Sequence, residues 1–297
     1  GSVKRVSNQR LSGSLEGHVR FLTGKVGGTK NLGERDTAPS TGNDSQDQKV
    51  RSAYFRWTLK QSPILVWNNT LRLAGSNKFR IANAVKEATE LAMEEHLENL
   101  HQELFTGNPS DQTADVWDAT PGLEQAIDDN NTYGAVDRGT YTTWQAKVVS
   151  TAKTASLRLI DDANLTQGIR KTGPGVDVVL TTFTLFDKFK QEALARGGTH
   201  IVSGTPDASE VGQIKEAVKY NGVLIVPDPK ATASYVYMLT LADWLFQING
   251  DDNFRVTTFK DLSDDPGGKD AVAAKISTMY RLICMRPWNQ ILYTSVS

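Results

Sequence analysis

A helical period that runs without interruption over residues 77–105 constrains this chain more than any other feature. Ile81, Val85, Ala88, Ala92, Leu97, Leu100 and Leu104 recur at steps of three to five, which puts a broad apolar stripe on one side of a helix. At about 1.5 Å rise per residue such a helix spans roughly 40 Å, the length of a spine and not of an average packing helix. Its other side is acidic, with Glu87, Glu90, Glu94, Glu95, Glu98 and Glu103, whereas the segment 1–18 carries Lys4, Arg5 and Arg10 against Glu16. Opposite charge favours an arm-to-spine contact, within or between copies.

The spine is preceded by β-type patterning. Ala53, Phe55, Trp57 and Leu59 alternate with Tyr54, Arg56, Thr58 and Lys60, as a half-buried strand requires. A second strand-like run, residues 64–74, follows Pro63. Upstream, Val19 and Phe21 mark another strand, and between the two lies "GGTKNLGERDTAPSTGNDSQDQK", a polar stretch in which no core can form. A loop of this length inside a domain is unusual and normally serves a function or is disordered.

Beyond the spine, Gly107 stops the helix and Asn108, Pro109 and Ser110 make a turn. The spacing of Val148, Ala152, Ala155, Leu159 and Ala163 predicts a helix over residues 144–169. A compact α/β block then begins: "VDVVLTT" as a buried strand, Thr182 as N-cap, an amphipathic helix over 183–196, and "GVLIVPDP" and "YVYMLTL" as further strands. The tail returns to alternation, with Phe254, Val256 and Thr258, then every second residue from Val272 to Cys284, then "NQILYTSV". No internal repeat is present. The expected class is α+β.

Composition narrows the function. Charged residues make up 23% of the 297 residues and the formal net charge is −1, so the lysine and arginine excess with which proteins neutralise phosphates along DNA is missing. Cys284 is the single cysteine, which excludes an internal disulfide or a cysteine-based zinc cluster. No stretch reaches the roughly 20 apolar residues of a membrane helix, and the start lacks the apolar core of a signal peptide, so a protein that works in a reducing cytoplasm without a membrane is expected.

Candidate chemistry is sparse. His96 and His101 are five apart and diverge on the helix; Glu98 and His101 have the three-residue spacing of di-metal carboxylate bundles but lack the second such motif. Both histidines are read as part of a solvated helix face. His18 and His200 stand alone, and no serine lies in a G-x-S-x-G elbow. "GKVGG" and "TGPGVD" do not have phosphate-loop spacing and read as turns. The pairs Asp128–Asp129, Asp161–Asp162, Asp251–Asp252 and Asp264–Asp265 sit among turn residues, and Cys284 reads as a small buried hydrophobe. No catalytic, cofactor or metal residue is assigned.

Several phrases carry a family resemblance. "RSAYFRWTLKQSPILVWNNTLRLAGSN" followed by "IANAVKEATELAMEEHLENLHQELFTG" resembles the extended-loop return strand, link and spine helix, ending in Phe-x-Gly, of tailed-phage major capsid proteins with the Hong Kong 97-type fold. "GLEQAIDDNNTYGAVDR" is similar to that family's stretch after the spine. "GPGVDVVLTTFTLFDKFKQEA" and "YNGVLIVPDP" resemble its axial-domain strands and helix.

The resemblance implies an N-terminal arm over 1–18, an extended two-stranded loop over 19–63 and a peripheral domain over 64–176 that includes the spine at 77–105. An axial domain over 177–249 and return strands of the peripheral domain over 250–297 complete that division. It implies no enzyme activity and no cofactor, but a capsid protein that self-assembles as hexamers and pentamers into the icosahedral head of a tailed bacteriophage. Such a shell is built in the host bacterial cytoplasm, encloses double-stranded DNA without sequence-specific binding, and engages portal, scaffold, protease and decoration proteins. Some members cross-link a loop lysine to an asparagine; Lys25, Lys30 and Lys49 lie near the loop, but no motif selects an acceptor. Two alternatives stand beside this one: an encapsulin-like compartment shell, and a cytosolic α+β enzyme with an unrecognised site.

Overall fold

A computed structural model describes residues 2–6, 17–22, 50–74, 78–114, 116–170, 175–195, 200–202, 217–262 and 270–297. Strands β1 (Ser2–Val6), β2 (Gly17–Leu22), β3 (Val50–Phe55) and β4 (Thr58–Trp67) lead into helices α1 (Asn68–Ala74) and α2 (Lys78–Thr106). The short α3 (Leu123–Ala126), the pair β5 (Thr132–Tyr133) and β6 (Val136–Asp137), and β7 (Lys147–Val149) come before α4 (Arg158–Arg170). Next come β8 (Val178–Thr181), α5 (Phe183–Ala195), β9 (His200–Val202), β10 (Ala217–Tyr220), β11 (Val223–Pro227) and β12 (Val236–Leu239). They are followed by β13 (Trp244–Asn249), β14 (Arg255–Val256), β15 (Lys260–Asp261), β16 (Ala271–Cys284) and β17 (Ile291–Tyr293). The architecture is α+β, built on two large sheets.

The six-stranded sheet is organised by β16. Along one edge it pairs antiparallel with β4, from Ala271 opposite Trp67 to Tyr280 opposite Thr58. Its other edge takes β13, β14 and β15 in turn, and β1 adds to β13 in parallel. The 29-residue α2 lies on the β4–β16 face, where Ile64, Ala92, Ala274 and Ile276 form a small core with Ala88, Met93 and Phe254. The seven-stranded sheet runs β7-β17-β12-β8-β11-β10-β9. Helix α5 starts where Thr182 Oγ1 accepts the Leu185 amide at 3.5 Å, and it buries Leu185, Phe186, Phe189 and Ala193 on one face. Each of the larger side chains contributes about 2 kcal/mol by leaving water. A third cluster, rich in aromatics, joins the sheets: Phe55, Phe105, Trp117, Trp144, Tyr237 and Leu282 belong to it.

Sheet membership does not follow chain order. β13 precedes and β17 follows the long β16, yet β13 pairs with β16 in the six-stranded sheet while β17 joins β12 and β7 in the other.

Four local expectations are corrected. The alternation of residues 53–60 is not one strand: Ala53, Phe55 and Trp57 are buried as expected, but the ladder breaks at Arg56 and Trp57. β3 pairs with β2 whereas β4 pairs with β16, so the phase slips by one, Thr58 is buried and Leu59 is 41% exposed. The second strand does not begin after Pro63 but runs through it, which an edge strand tolerates. It stops at Trp67, and residues 68–74 are helical, held by the Asn68 amide donating to the Asp270 carbonyl at 3.0 Å. The helix expected over 144–169 forms only from Arg158; Val148 lies in β7, because pairing with Leu292 of β17 recruits a β-branched run into the sheet. Leu97 is exposed, because the position four residues on from Ala92, facing the sheet, is His96. The expected stops at Gly197 and Gly198, the loop 27–49 and the Asp264–Asp265 pair lie outside the described residues.

Candidate functional site

Polar side chains are concentrated where α2 meets the two sheets. On the six-stranded side His96 is fully buried, with Nδ1 2.8 Å from Ser62 Oγ and Nε2 2.9 Å from Thr278 Oγ1. Burial lowers its pKa, with Lys60 acting in the same direction and Glu103 opposing. Lys60 Nζ donates to Glu103 Oε2 at 2.6 Å, and Glu103 Oε1 accepts the Thr120 amide at 2.7 Å. On the seven-stranded side His101 Nε2 lies 2.9 Å from Asp228 Oδ2, and Lys230 Nζ donates to Glu98 Oε1 at 2.5 Å. The reading of His96 as solvated is therefore corrected: apolar periodicity does not reveal that hydroxyls from two other strands satisfy a buried imidazole. His101 keeps 39% of its side chain exposed beside Asp228.

Just beyond the spine, Glu124 of α3 accepts the hydroxyls of Thr232 and Tyr237, the latter at 2.9 Å. Arg138 is fully buried beneath the same segment. Its Nη1 donates to the carbonyls of Gln125 and Asp128, each at 2.8 Å, and its Nη2 to that of Ala126 at 2.7 Å, capping α3 from within. Burial lowers its pKa to about 10. Arg281, above the Trp57 ring at 4.4 Å and donating to the Phe55 carbonyl, is likewise lowered to about 10 by burial. No sequence signal marked Glu124, Arg138 or Arg281, since a lone charged residue in a loop or strand looks the same whether buried or solvated.

The Ser62–His96 pair is buried, which closes its hydroxyl to a substrate. Burial pushes the Cys284 thiol up, so it remains protonated and weakly nucleophilic. Among the described residues no three His, Cys, Asp or Glu side chains converge to hold a metal. Asp128 closes its turn by accepting the Asn130 amide at 2.8 Å, and Asp161 accepts the Tyr220 hydroxyl at 2.9 Å. His18 packs edge-on against Tyr54 at 4.9 Å, and His200 stands opposite Lys219 in the β9–β10 ladder. A groove of 860 Å³ lies between β2 and the 3-10 turns near Trp144 and Trp288; its walls include His18, Arg20, Thr142, Arg286 and Trp288. What the surface does offer is apolar area: Leu73 is 85% exposed and Phe79 83%, with Trp67 half-exposed close by in sequence. Trp67 at the end of β4, Leu73 in α1 and Phe79 in the first turn of α2 mark a contact surface better than a solvated one.

No family model and no curated protein matches the chain. Solved structures do. The "Cyanophage A-1(L) capsid asymmetric unit" superposes with a TM-score of 0.61 at 12% identity over 95% of this chain and 88% of that one. The fold is that of the Hong Kong 97-type capsid proteins. A capsid chain of "Mycobacterium phage Bobi" gives a TM-score of 0.53 at 13% identity over 96% of this chain and 86% of that one. The holo-SrpI encapsulin complex from Synechococcus elongatus PCC 7942 gives 0.54 at 12% identity, covering 99% and 85%.

Proposed function

We propose that the chain is the major capsid protein of a tailed bacteriophage. The observation that carries this reading is the two-way coverage of a phage capsid chain, 95% of this chain and 88% of that one. Copies meet as hexamers and pentamers, and heterologous contacts repeated around rings close an icosahedral head around double-stranded DNA. Function then resides in buried area, roughly 2,000 Å² or more for obligate interfaces, and needs no catalytic group. The near-neutral charge suits a wall that contains DNA without gripping it. Residues 1–18 act as arm, 19–63 as extended loop, 64–176 with 250–297 as peripheral domain and 177–249 as axial domain. Strands cross this division: β13 shares the sheet of β16, whereas β7 and β17 share that of β12. Portal, scaffold, protease and decoration proteins are the partner classes of such a shell, which forms in the host cytoplasm and ends in the virion.

The encapsulin match favours a second reading, a compartment shell that houses a protein cargo. Negative-stain electron microscopy with light scattering, at several concentrations and salt levels, tests both. Closed shells, or hexamers and pentamers, are expected, and nucleic acid against protein cargo inside purified shells separates the two readings. A monomer or dimer under every condition overturns both.

A further inference from the structure

The groove of 860 Å³ beside β2 lies along the edge of that strand and not against one of its faces. Side chains of a strand alternate between faces, yet residues 18–21, four in a row, all line the groove, and no residue of β3 does. It therefore follows the side of β2 turned away from β3, where a strand presents its main-chain groups.

The backbone directions agree. The Tyr54 amide donates to the Gly134 carbonyl at 2.9 Å and so points away from β2. Tyr54 stands opposite His18, which makes this a pair without ladder bonds; two residues on, Arg20 opposite Ser52 repeats it. The N–H and C=O of Arg20 hence point away from β3, and among the described residues neither has a hydrogen-bond partner. The two edges of the ribbon differ: the turn between β5 and β6 covers that of β3 through Gly134, whereas that of β2 is open. The open strand is nevertheless held in place, since Phe21 is buried and stacks on Trp144 at 4.4 Å.

The walls carry positive charge. The Arg20 side chain is exposed, and that of Arg286 is 54% exposed although its Nη1 lies 3.7 Å from Asp243. Asp243 is only 4% exposed, and among the described residues the walls include both arginines and no Asp or Glu. Exposed Thr142 and Thr143 line the opposite side, and Met285 and Trp288 add apolar area.

We propose that this groove takes an extended acidic peptide segment of a partner protein, added to β2 as a third strand of the β2–β3 ribbon. Four lining residues offer about 13 Å of edge. Main-chain pairing with Arg20 supplies affinity, and carboxylates reaching Arg20 and Arg286 select the sequence. A nucleic acid is the poorer occupant: it would meet the arginines but has no row of alternating donors and acceptors to match a strand edge. The proposal goes beyond the shell reading and stands whether or not the chain assembles.

The test is fluorescence anisotropy of a labelled, capped heptapeptide that alternates glutamate with valine. It is titrated with the full chain, with Arg20→Ala, with Arg20→Pro and with the chain lacking residues 27–48. The same heptapeptide with lysine for glutamate, and a labelled oligothymidylate, are the comparison probes. Arg20→Pro removes, besides the side chain, only a donor that points outward, which an edge strand tolerates. Circular dichroism checks its fold; if it is not folded, Arg20→Glu takes its place and should abolish the preference for the acidic peptide. The acidic peptide is expected to bind the full chain about tenfold more tightly than the lysine peptide. Binding should weaken about fivefold in Arg20→Ala and about fivefold more in Arg20→Pro, which also loses a main-chain hydrogen bond. Equal binding of the two peptides, or no binding, overturns the proposal, and equal affinity of Arg20→Pro and Arg20→Ala overturns strand addition. Tighter binding of the oligothymidylate overturns it in favour of a nucleic acid. Binding that appears only after removal of residues 27–48 gives the groove to the chain's own loop and overturns it as well.

Discussion

The Nε2 atom of His96 lies 2.9 Å from Oγ1 of Thr278, so the middle of the spine helix is fastened to the longest strand of the fold by a buried imidazole. Because Ser62 holds the other ring nitrogen at 2.8 Å, one side chain ties α2 to both β4 and β16. The neutral ring suits this place, as one nitrogen donates, the other accepts, and each hydroxyl can take either role.

Acid should therefore loosen the spine from its sheet. The pKa of His96 is lowered by burial from its ordinary 6.5, so the unfolded chain takes up its proton before the folded chain does. The contribution to stability is fully present above about pH 6.5 and is lost as pH falls from there through the folded value. Denaturant unfolding at steps between pH 8 and 5 should show a fall in stability that is shallower in His96→Gln. Parallel curves for the two proteins would remove His96 from the account.

Arg138 is expected to matter more for stability than any other charged residue in the loops. Arg138→Met leaves the carbonyls of Gln125, Ala126 and Asp128 without their donors, at a cost of about 3 kcal/mol or more. The shift in the urea midpoint, at unchanged slope, measures it. Arg138→Lys should recover only part of the loss, because one ammonium does not reproduce the guanidinium fork.

Gly107 cannot carry a side chain. A Cβ there would stand 2.2 Å from the Thr120 carbonyl oxygen and 2.4 Å from that of Glu103, both backbone atoms. Gly107→Ala should destabilise by about 3 kcal/mol, since the end of α2 must move away from the 120–122 segment. Thermal unfolding reads the change, and a melting temperature equal to that of the wild type would count against this packing.

Removing residues 27–48 should separate folding from assembly. The stretch is polar and offers nothing to a core, so the shortened chain is expected to stay soluble and to keep the wild-type circular dichroism. Closed shells should no longer appear in electron micrographs. Normal shells from the shortened chain would show that the loop is not an assembly element.

The sequence by itself determined what depends on neighbours a few residues apart. The spine was legible because its 29 residues keep a helical period, broken only where His96 and not Leu97 faces the sheet, and the strand–helix alternation around Thr182 because its N-cap and period are local. Only the tertiary structure decided what depends on pairing across the chain. Thr58 goes inside and Leu59 outside because β4 takes its register from β16, more than 200 residues later. Val148 is in a strand because β17 offers it a ladder, and His96 is buried because Ser62 and Thr278 meet it there. Periodicity reports the face an element must bury, whereas partner and register are settled by which distant strands close the sheet, and that choice leaves no local mark.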